Sequence, residues 1–200
     1  MKTLALDSAQ KTQSFCLAEN GNFIFSKSFP GKSSELIENI KAEFSKVNLT
    51  PQDINLLAVN LGPGSFTGIR NALSIIKTLS LELNLDVLIS NSFELIRFDN
   101  ELDEQEPLCI PAFKGNFFIS KFNEKLNKFD EYFSLEDEGF GVYSYCRENT
   151  SELIIRFHTA KTKLAKHSLS QESAIITVED IEQLEPYYLR EASVDRKAKR

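Results

Sequence analysis

The alternation of apolar and polar residues near the N-terminus predicts three β-strands. Residues 3–8 form a short apolar run, and residues 14–19 and 23–28 alternate in the manner of half-buried strands. Asn20-Gly21 lies between the last two strands and is a two-residue hairpin signal, because both residues tolerate positive φ. The chain is therefore predicted to open with a three-stranded antiparallel meander.

Two segments with helical periodicity follow, and the second has a wide apolar face. In residues 33–47 the apolar side chains fall on one stripe about 100° wide. In residues 69–83 they spread over about 160° of the helix circumference, and they are Ile69, Ala72, Leu73, Ile75, Ile76, Leu79 and Leu83. One face of a sheet rarely covers so wide a stripe. Either another element of the same chain or a partner protein must cover the rest.

A glycine-rich loop joins a predicted buried strand, residues 54–60, to this second helix. The loop and the first helical residues are Gly62, Pro63, Gly64, Ser65, Phe66, Thr67, Gly68, Ile69 and Arg70. A strand, a glycine-rich loop and a helix N-terminus can bind phosphate, but no Gly-Lys-Ser/Thr of a P-loop follows. We therefore interpret the loop as a packing turn whose glycines allow positive φ or close backbone approach, with Ser65 or Thr67 as the helix cap.

An acidic segment, residues 100–106, is the best internal boundary. It separates a first lobe, residues 1–99, from a smaller second α/β lobe, residues 107–200. Strands are predicted in the second lobe at 108–113, 117–122, 130–134, 142–147 and 152–157, with a short helix from 159 to about 167. A sheet that opens with an antiparallel meander and continues with parallel strands is the layout of the actin, sugar-kinase and Hsp70-like (ASKHA) fold. We predict an α/β fold of this class with a reduced second lobe.

Composition narrows the possible chemistry. The formal net charge is −6, so a broad basic face for nucleic acid is not expected. No apolar stretch approaches the ~20 residues that span a bilayer, and the N-terminus lacks a signal-peptide core, so we expect a cytoplasmic protein. The three cysteines, Cys16, Cys109 and Cys146, lack metal or redox spacing, and His158 and His167 are too far apart to form an i, i+4 metal pair. We expect no metal and no cofactor, and we interpret the cysteines as buried thiols.

Asp7 is the candidate cofactor-binding residue, because it ends the first strand beside a polar turn. An exposed carboxylate there could hold Mg²⁺ near phosphates. A small ASKHA-fold phosphotransferase that uses Asp7 and Mg²⁺ is therefore the alternative function. The second half, however, contains only three glycines and no Asp-Gly-Gly-type phosphate loop, and Ser65 is not in a nucleophile elbow. We expect no catalytic residue.

Three strings resemble those of the TsaB (YeaZ) family, the non-catalytic subunit of the bacterial machinery for tRNA threonylcarbamoyladenosine (t6A). They are Leu4-Ala5-Leu6-Asp7-Ser8, the nonapeptide 62–70 and Pro186-Tyr187-Tyr188-Leu189-Arg190, and they occur in the family's order and spacing. The resemblance implies a two-lobed ASKHA fold and a heterodimer with a TsaD-like paralogue. That paralogue transfers the threonylcarbamoyl group to N6 of adenosine 37 in ANN-decoding tRNAs. The resemblance also implies a TsaE-like ATPase as a third component, a homodimer when the chain is alone, and tRNA contact mainly through the complex.

The resemblance further implies that the first two helices form the partner interface. On this sequence the predicted interface residues are Ser34, Ile37, Lys41, Ala72, Leu73, Ile76 and Lys77. The chain departs from the family at two places. Lys32-Ser33-Ser34 stands where relatives often carry a His-Ser pair, and Pro111-Ala112-Phe113-Lys114 stands where many carry an Asp-Ala-Arg-like segment.

Overall fold

Two β-sheets of different size organise the computed structural model of the chain, which describes residues 1–103, 105–112, 115–135, 138–145, 149–165 and 175–189. In chain order the described strands and helices are β1 (Lys2–Asp7), β2 (Thr12–Glu19), β3 (Asn22–Pro30), α1 (Leu36–Lys46), β4 (Leu56–Asn60), α2 (Phe66–Leu83), β5 (Val87–Ser90), α3 (Ser92–Asp99), β6 (Leu108–Pro111), β7 (Phe117–Asn123), β8 (Lys128–Ser134), β9 (Gly141–Val142), α4 (Thr150–Ala165) and β10 (Ile175–Ile176). Short 3₁₀ turns lie at Ser33–Glu35, Pro51–Asp53 and Val178–Gln183.

The larger sheet has the strand order β10-β5-β4-β1-β2-β3. The predicted meander is confirmed, since β1, β2 and β3 pair antiparallel and Asn20 and Gly21 have φ of 50° and 85° at the hairpin. β4 and β5 then continue the sheet in parallel with β1. The carboxyl ends of β1, β4 and β5 therefore lie at the same edge of the sheet.

Helices cover both faces of this sheet. Side chains of α1 and α2 pack on the face that carries Leu4, Leu6 and Phe15, whereas α3 and α4 contribute to the cluster around Ala5, Cys16 and Ala58. Because successive side chains of a strand point to opposite faces, alternate residues of β1 supply both cores. α2 begins at Phe66, three residues earlier than the periodicity predicts, because Ser65 Oγ accepts from Gly68 N at 3.2 Å and caps the helix.

The wide apolar face of α2 is covered in part by the C-terminal segment of the same chain. Ile181 and Leu184 are buried in the core that α2 helps to form, and Ile75, Leu79 and Leu83 are half-buried beside it. Lys77 Nζ also donates to the carbonyl oxygen of Glu182 at 2.8 Å. Of the two alternatives that the sequence leaves open, the same chain accounts for this part of the stripe.

The smaller sheet has the order β8-β7-β6-β9 and spans residues 108–142. The strand predicted at 152–157 is wrong, since these residues belong to α4, and so is the helix predicted to start at Thr159. α4 buries Leu153, Ile154 and Phe157 against the larger sheet, and β10 pairs with β5. The predicted extent of the second lobe, residues 107–200, is thus too long, because the chain returns to the first lobe from about residue 150. The predicted strand 142–147 is reduced to Gly141–Val142 in the described residues.

None of the helices in the described part of the chain has the length and hydropathy needed to cross a membrane. Cys16 and Cys109 are buried, as interpreted from the sequence, while Cys146 and His167 lie outside the described residues. His158 lies on α4 and is buried, and this burial lowers its pKa to about 4.

Candidate functional site

A buried polar network lies where β1, β4 and β5 end. Asp7 is the last residue of β1, Asn60 is the last residue of β4, and Ser92 begins the helix that follows β5. All three side chains are buried. The sheet topology therefore gathers these polar groups from distant parts of the sequence at one edge, the edge at which ligands bind in open α/β sheets.

Asp7 is fully buried and held by hydrogen bonds from neutral groups. Its Oδ1 accepts from Ala9 N at 2.8 Å, and Asn60 Nδ2 lies 3.3 Å from each carboxylate oxygen. Burial raises the pKa of the Asp7 carboxyl, while the bonds from Ala9, Thr150 and Asn60 oppose this rise. The prediction of an exposed carboxylate is therefore wrong, because Asp7 has no surface on which to meet a solvated Mg²⁺ ion.

Asn60 is the branching point of the network. Its Nδ2 also lies 3.1 Å from Ser92 Oγ and 3.1 Å from the Tyr145 hydroxyl, and its Oδ1 accepts from Gly62 N at 3.0 Å. Burial, followed by the nearby charge of Asp7, raises the pKa of Tyr145 well above its usual value. The network thus joins the end of β4 to the glycine-rich loop and to the segment before α4.

Ser14 ties the start of α4 to the same region. Its Oγ lies 3.0 Å from Thr150 Oγ1 and accepts from Ser151 N at 2.9 Å. An otherwise unpaired N–H at a helix start is satisfied in this way by a strand residue. The sequence did not indicate Asn60, Ser92, Tyr145, Ser14 or Thr150 as site residues. Only Asn60 carries a local signal, since it is a polar residue that ends an otherwise apolar strand.

The glycine-rich loop is pressed against the turn between β1 and β2. A Cβ on Gly64 would lie 2.2 Å from the carbonyl oxygen of Ala9, and one on Gly68 would lie 1.9 Å from that of Ser8. Gly62 has φ of +100°, where a side chain is strained. Two backbones meet here without room for a side chain, as the packing interpretation of the loop requires.

Three backbone N–H groups of this loop and the first turn of α2 are used within the chain. Gly62 N donates to Asn60, Ser65 N donates to Ala9 O at 2.7 Å, and Gly68 N donates to the capping Ser65 side chain. A phosphate cradle needs such groups to point outward. Three of the loop's N–H groups are therefore not available to an anion.

The remaining loop residues are held differently. Pro63 is buried after a cis peptide bond from Gly62, and Thr67 is exposed. The Arg70 guanidinium lies 4.2 Å from the centre of the Phe66 ring, and its Nε donates to the Tyr188 hydroxyl at 2.7 Å. Within the described residues, Arg70 thus joins the first turn of α2 to the C-terminal segment through aromatic groups.

Three predicted interface residues are corrected by the structure. Ala72, Leu73 and Ile76 are 0%, 4% and 0% exposed, because they face the sheet and fill the core of the chain itself. The other four remain at the surface: Ser34 and Lys41 are exposed, Ile37 is 46% exposed and Lys77 is half-buried. A surface formed by α1 and the outer side of α2 is what remains of the predicted interface.

A cleft of about 970 Å³ opens between the lobes. Its walls include the turn between β1 and β2, the N-terminal end of α2 and, from the smaller sheet, Ile110 and Phe118. None of its described lining residues is an aspartate, a glutamate or a histidine. The described residues also contain no group of three metal-ligating side chains. The described walls of the cleft therefore offer neither a carboxylate nor an imidazole as a general base.

Comparisons with known proteins give a consistent set of matches. Residues 30–117 match the family model described as "TsaD: tRNA N6-adenosine threonylcarbamoyltransferase". The TsaB protein of Buchnera aphidicola (subsp. Baizongia pistaciae) is 41% identical over 61 residues, which are 30% of this chain and 28% of that protein. The TsaB protein of Bacillus subtilis is 28% identical over 99 residues, which are 48% of this chain and 43% of that protein. The alignments thus span less than half the length of these curated relatives.

Solved structures match over a larger part of the chain. YeaZ from Pseudomonas aeruginosa aligns with a TM-score of 0.65 at 15% identity, covering 94% of this chain and 99% of that one. A second structure, of a protein with similarity to peptidase YeaZ from the same organism, aligns with a TM-score of 0.64 at 16% identity, with the same coverage of both chains. These likenesses show the fold, which is the predicted α/β ASKHA-like one.

Proposed function

We propose that the chain is a member of the TsaB (YeaZ) family and a subunit of the tRNA t6A biosynthesis machinery that acts in the cytoplasm. The matched relatives are TsaB proteins described as tRNA threonylcarbamoyladenosine biosynthesis proteins. In this proposal the chain pairs with a TsaD-like paralogue and supports transfer of the threonylcarbamoyl group to N6 of adenosine 37 in ANN-decoding tRNAs.

We further propose that the subunit is non-catalytic. The observation that carries this proposal is the burial of Asp7, whose carboxylate is hydrogen-bonded to Ala9 N and Asn60 Nδ2 inside the chain. The described walls of the cleft offer no acidic residue or histidine in its place. The alternative, a small phosphotransferase, has less support because it depends on Asp7 as a ligand of Mg²⁺.

The proposed partner surface is the outer side of α1 and α2. Ile37 is the apolar residue of α1 that remains 46% exposed, and Ser34, Lys41 and Lys77 lie at the surface around it. A TsaD-like paralogue would cover this surface in the complex, and a second copy would cover it when the chain is alone. A TsaE-like ATPase would join the pair. With a net charge of −6, the chain would contact tRNA mainly through the complex.

Reconstitution tests this function. Purified chain, the TsaD-like and TsaE-like proteins of the same cells, tRNA and threonylcarbamoyl adenylate are mixed with ATP, and t6A is measured by nucleoside mass spectrometry. We expect modification to require both the chain and its paralogue, and the chain alone to produce none. Ser65→Ala should retain activity. Modification by the chain alone, or full activity without it, would contradict the proposal.

A parallel assay separates the alternative. ATP hydrolysis and phosphoryl transfer by the isolated chain are measured with and without Mg²⁺. We expect no turnover above that of heat-denatured protein. The matched control is Ser14→Ala. Turnover that is lost in Asp7→Ala and kept in Ser14→Ala, at similar thermal midpoints of the two variants, would favour the phosphotransferase.

A further inference from the structure

The last described segment, residues 184–189, crosses from one lobe to the other. We call it the C-terminal clasp. Leu184 is buried in the first-lobe core on the α1 and α2 face, whereas Leu189 packs on the cluster formed by α3 and the smaller sheet. Tyr187 packs against both clusters. One short segment therefore contacts the hydrophobic cores of both lobes.

On the first-lobe side, the clasp is bonded to the backbone of the glycine-rich loop. Tyr187 N donates to Leu61 O at 2.8 Å, and a Cβ on Gly62 would lie 3.3 Å from Tyr187 O. The loop is in turn fixed to α3, because Ser92 N donates to Gly62 O at 2.7 Å. A shift of the clasp backbone would thus displace the loop directly.

The same side of the clasp also holds the first turn of α2. The Tyr188 ring stacks on Phe66 with centres 4.8 Å apart and planes 23° from parallel. The Tyr188 hydroxyl accepts from Arg70 Nε at 2.7 Å. Stacked rings bridged by a guanidinium form an oriented contact. Tyr188 therefore fixes the start of α2 to the clasp.

On the second-lobe side, the Tyr187 hydroxyl donates to Glu131 of β8. Glu131 also accepts from Ser120 Oγ of β7 at 3.1 Å, and Arg97 of α3 lies 3.3 Å from Ser120 Oγ. Burial and the neighbouring Glu131 raise the pKa of the Tyr187 hydroxyl, so it stays protonated and able to donate. Adjacent residues of the clasp thus project to opposite lobes, as side chains of an extended segment do.

We propose that the C-terminal clasp couples the two lobes, so that the smaller sheet, the glycine-rich loop and the first turn of α2 change position together. Tyr187 is the residue shared by both sides, through its backbone N–H and its hydroxyl. Tyr188 is a positioning residue on the α2 side. The coupling acts within the chain and does not depend on the proposed role in t6A biosynthesis.

Amide hydrogen exchange on the full chain tests the coupling. Tyr187→Phe keeps the ring and removes only the hydroxyl that reaches Glu131. We expect amide exchange to become about fivefold faster both in residues 117–134 and in residues 61–68. A fivefold change corresponds to the loss of about one hydrogen bond. The matched control is Tyr132→Phe, which removes a hydroxyl that donates to Glu138 within the second lobe. It should leave residues 61–68 unchanged.

Reciprocity gives a second arm of the test. Within the described residues, Tyr188→Leu removes the ring stacking on Phe66 and the hydrogen bond from Arg70, which are both contacts of the first lobe. Because coupling between two sites acts equally in both directions, this variant should also speed exchange in β8 around Glu131. Faster exchange confined to the lobe that each variant touches would overturn the proposal, and faster exchange in both lobes for both variants would support it.

Discussion

The inner and outer faces of α2 differ in what covers them. Gly68, Ala72, Leu73 and Ile76 face the sheet and are almost completely buried, whereas Ser74 and Thr78 on the outer side are exposed. Between them lie half-buried apolar residues that pack beside the C-terminal segment. The width of an apolar stripe therefore indicates how much of a helix is covered, and says nothing about which chain covers it.

This difference changes where a partner can bind. A residue with no exposed surface contributes no area to an interface. The proposed partner surface therefore consists of residues that remain accessible, above all Ile37 on α1. Substitutions on the inner face of α2 should therefore affect folding, whereas substitutions at the accessible residues of α1 and α2 should affect binding.

A charge on the inner face should unfold the chain rather than release a partner. Leu73→Glu places a carboxyl in the core, and we expect a loss of about 4 kcal/mol or more in the free energy of unfolding. Ser74→Glu, on the exposed side of the same turn, should change it by less than about 0.5 kcal/mol. Urea unfolding followed by circular dichroism measures both. A stable, monomeric Leu73→Glu variant would show that this face is an interface after all.

The position of Gly68, at the start of the inner face of α2, should tolerate no side chain. Gly68→Ala would place a Cβ 1.9 Å from Ser8 O, and we expect a loss of about 3 kcal/mol because backbone must move. The matched control is Gly31→Ala, whose Cβ would lie 3.0 Å from the flexible carboxylate of Glu35 and at an ordinary 3.5 Å from the Phe29 ring. Its thermal midpoint should remain near that of the parent chain. Equal midpoints for the two variants would contradict the close packing of the loop.

The buried carboxyl below the loop should make stability depend on pH. Because the pKa of Asp7 is raised in the folded state, its protonated form is favoured there, and its contribution to stability is lost as pH rises from 3.8 through the folded pKa. Relative to Asp7→Asn, the parent chain should therefore gain stability as pH falls, by at most about 1.4 kcal/mol per pH unit. Parallel curves of stability against pH for the two proteins would show that folding does not raise the pKa of Asp7.

The loop serine should matter only as a cap. Ser65→Ala removes the acceptor of Gly68 N, which should cost about 1 kcal/mol. Thr67→Ala is the control, since Thr67 is exposed in the same turn and Ser65 is the capping residue. Thermal unfolding of both variants measures the difference. Loss of t6A formation in Ser65→Ala at unchanged partner affinity would instead assign the loop a chemical role.

Local patterns predicted the first lobe well and the second half less well. The meander and the glycine-rich loop depend on neighbours in sequence, such as Asn20 with Gly21 at the hairpin. α4 was mistaken for a strand because Leu153, Ile154 and Ile155 form a short apolar run that includes two β-branched residues, and periodicity does not separate strand from helix in such a run. Packing on the larger sheet decided in favour of the helix.

The site was predictable only where one residue carries its own signal. Gly64 and Gly68 indicated close backbone approach, although the carbonyl groups that they approach, those of Ala9 and Ser8, lie more than fifty residues away in the sequence. Asp7 was found but its burial was not, because that depends on Asn60, Tyr145 and Thr150. No local pattern links such distant residues.

Partner affinity of two matched surface variants tests the central claim most directly. Ile37→Glu changes the exposed apolar residue of α1, and Leu126→Glu changes one that is 58% exposed on the turn between β7 and β8. The free energy of unfolding of both variants should lie within about 0.5 kcal/mol of that of the parent chain. By titration calorimetry with the TsaD-like paralogue, we predict at least about tenfold weaker binding for Ile37→Glu and unchanged binding for Leu126→Glu. Unchanged affinity of Ile37→Glu would contradict the account.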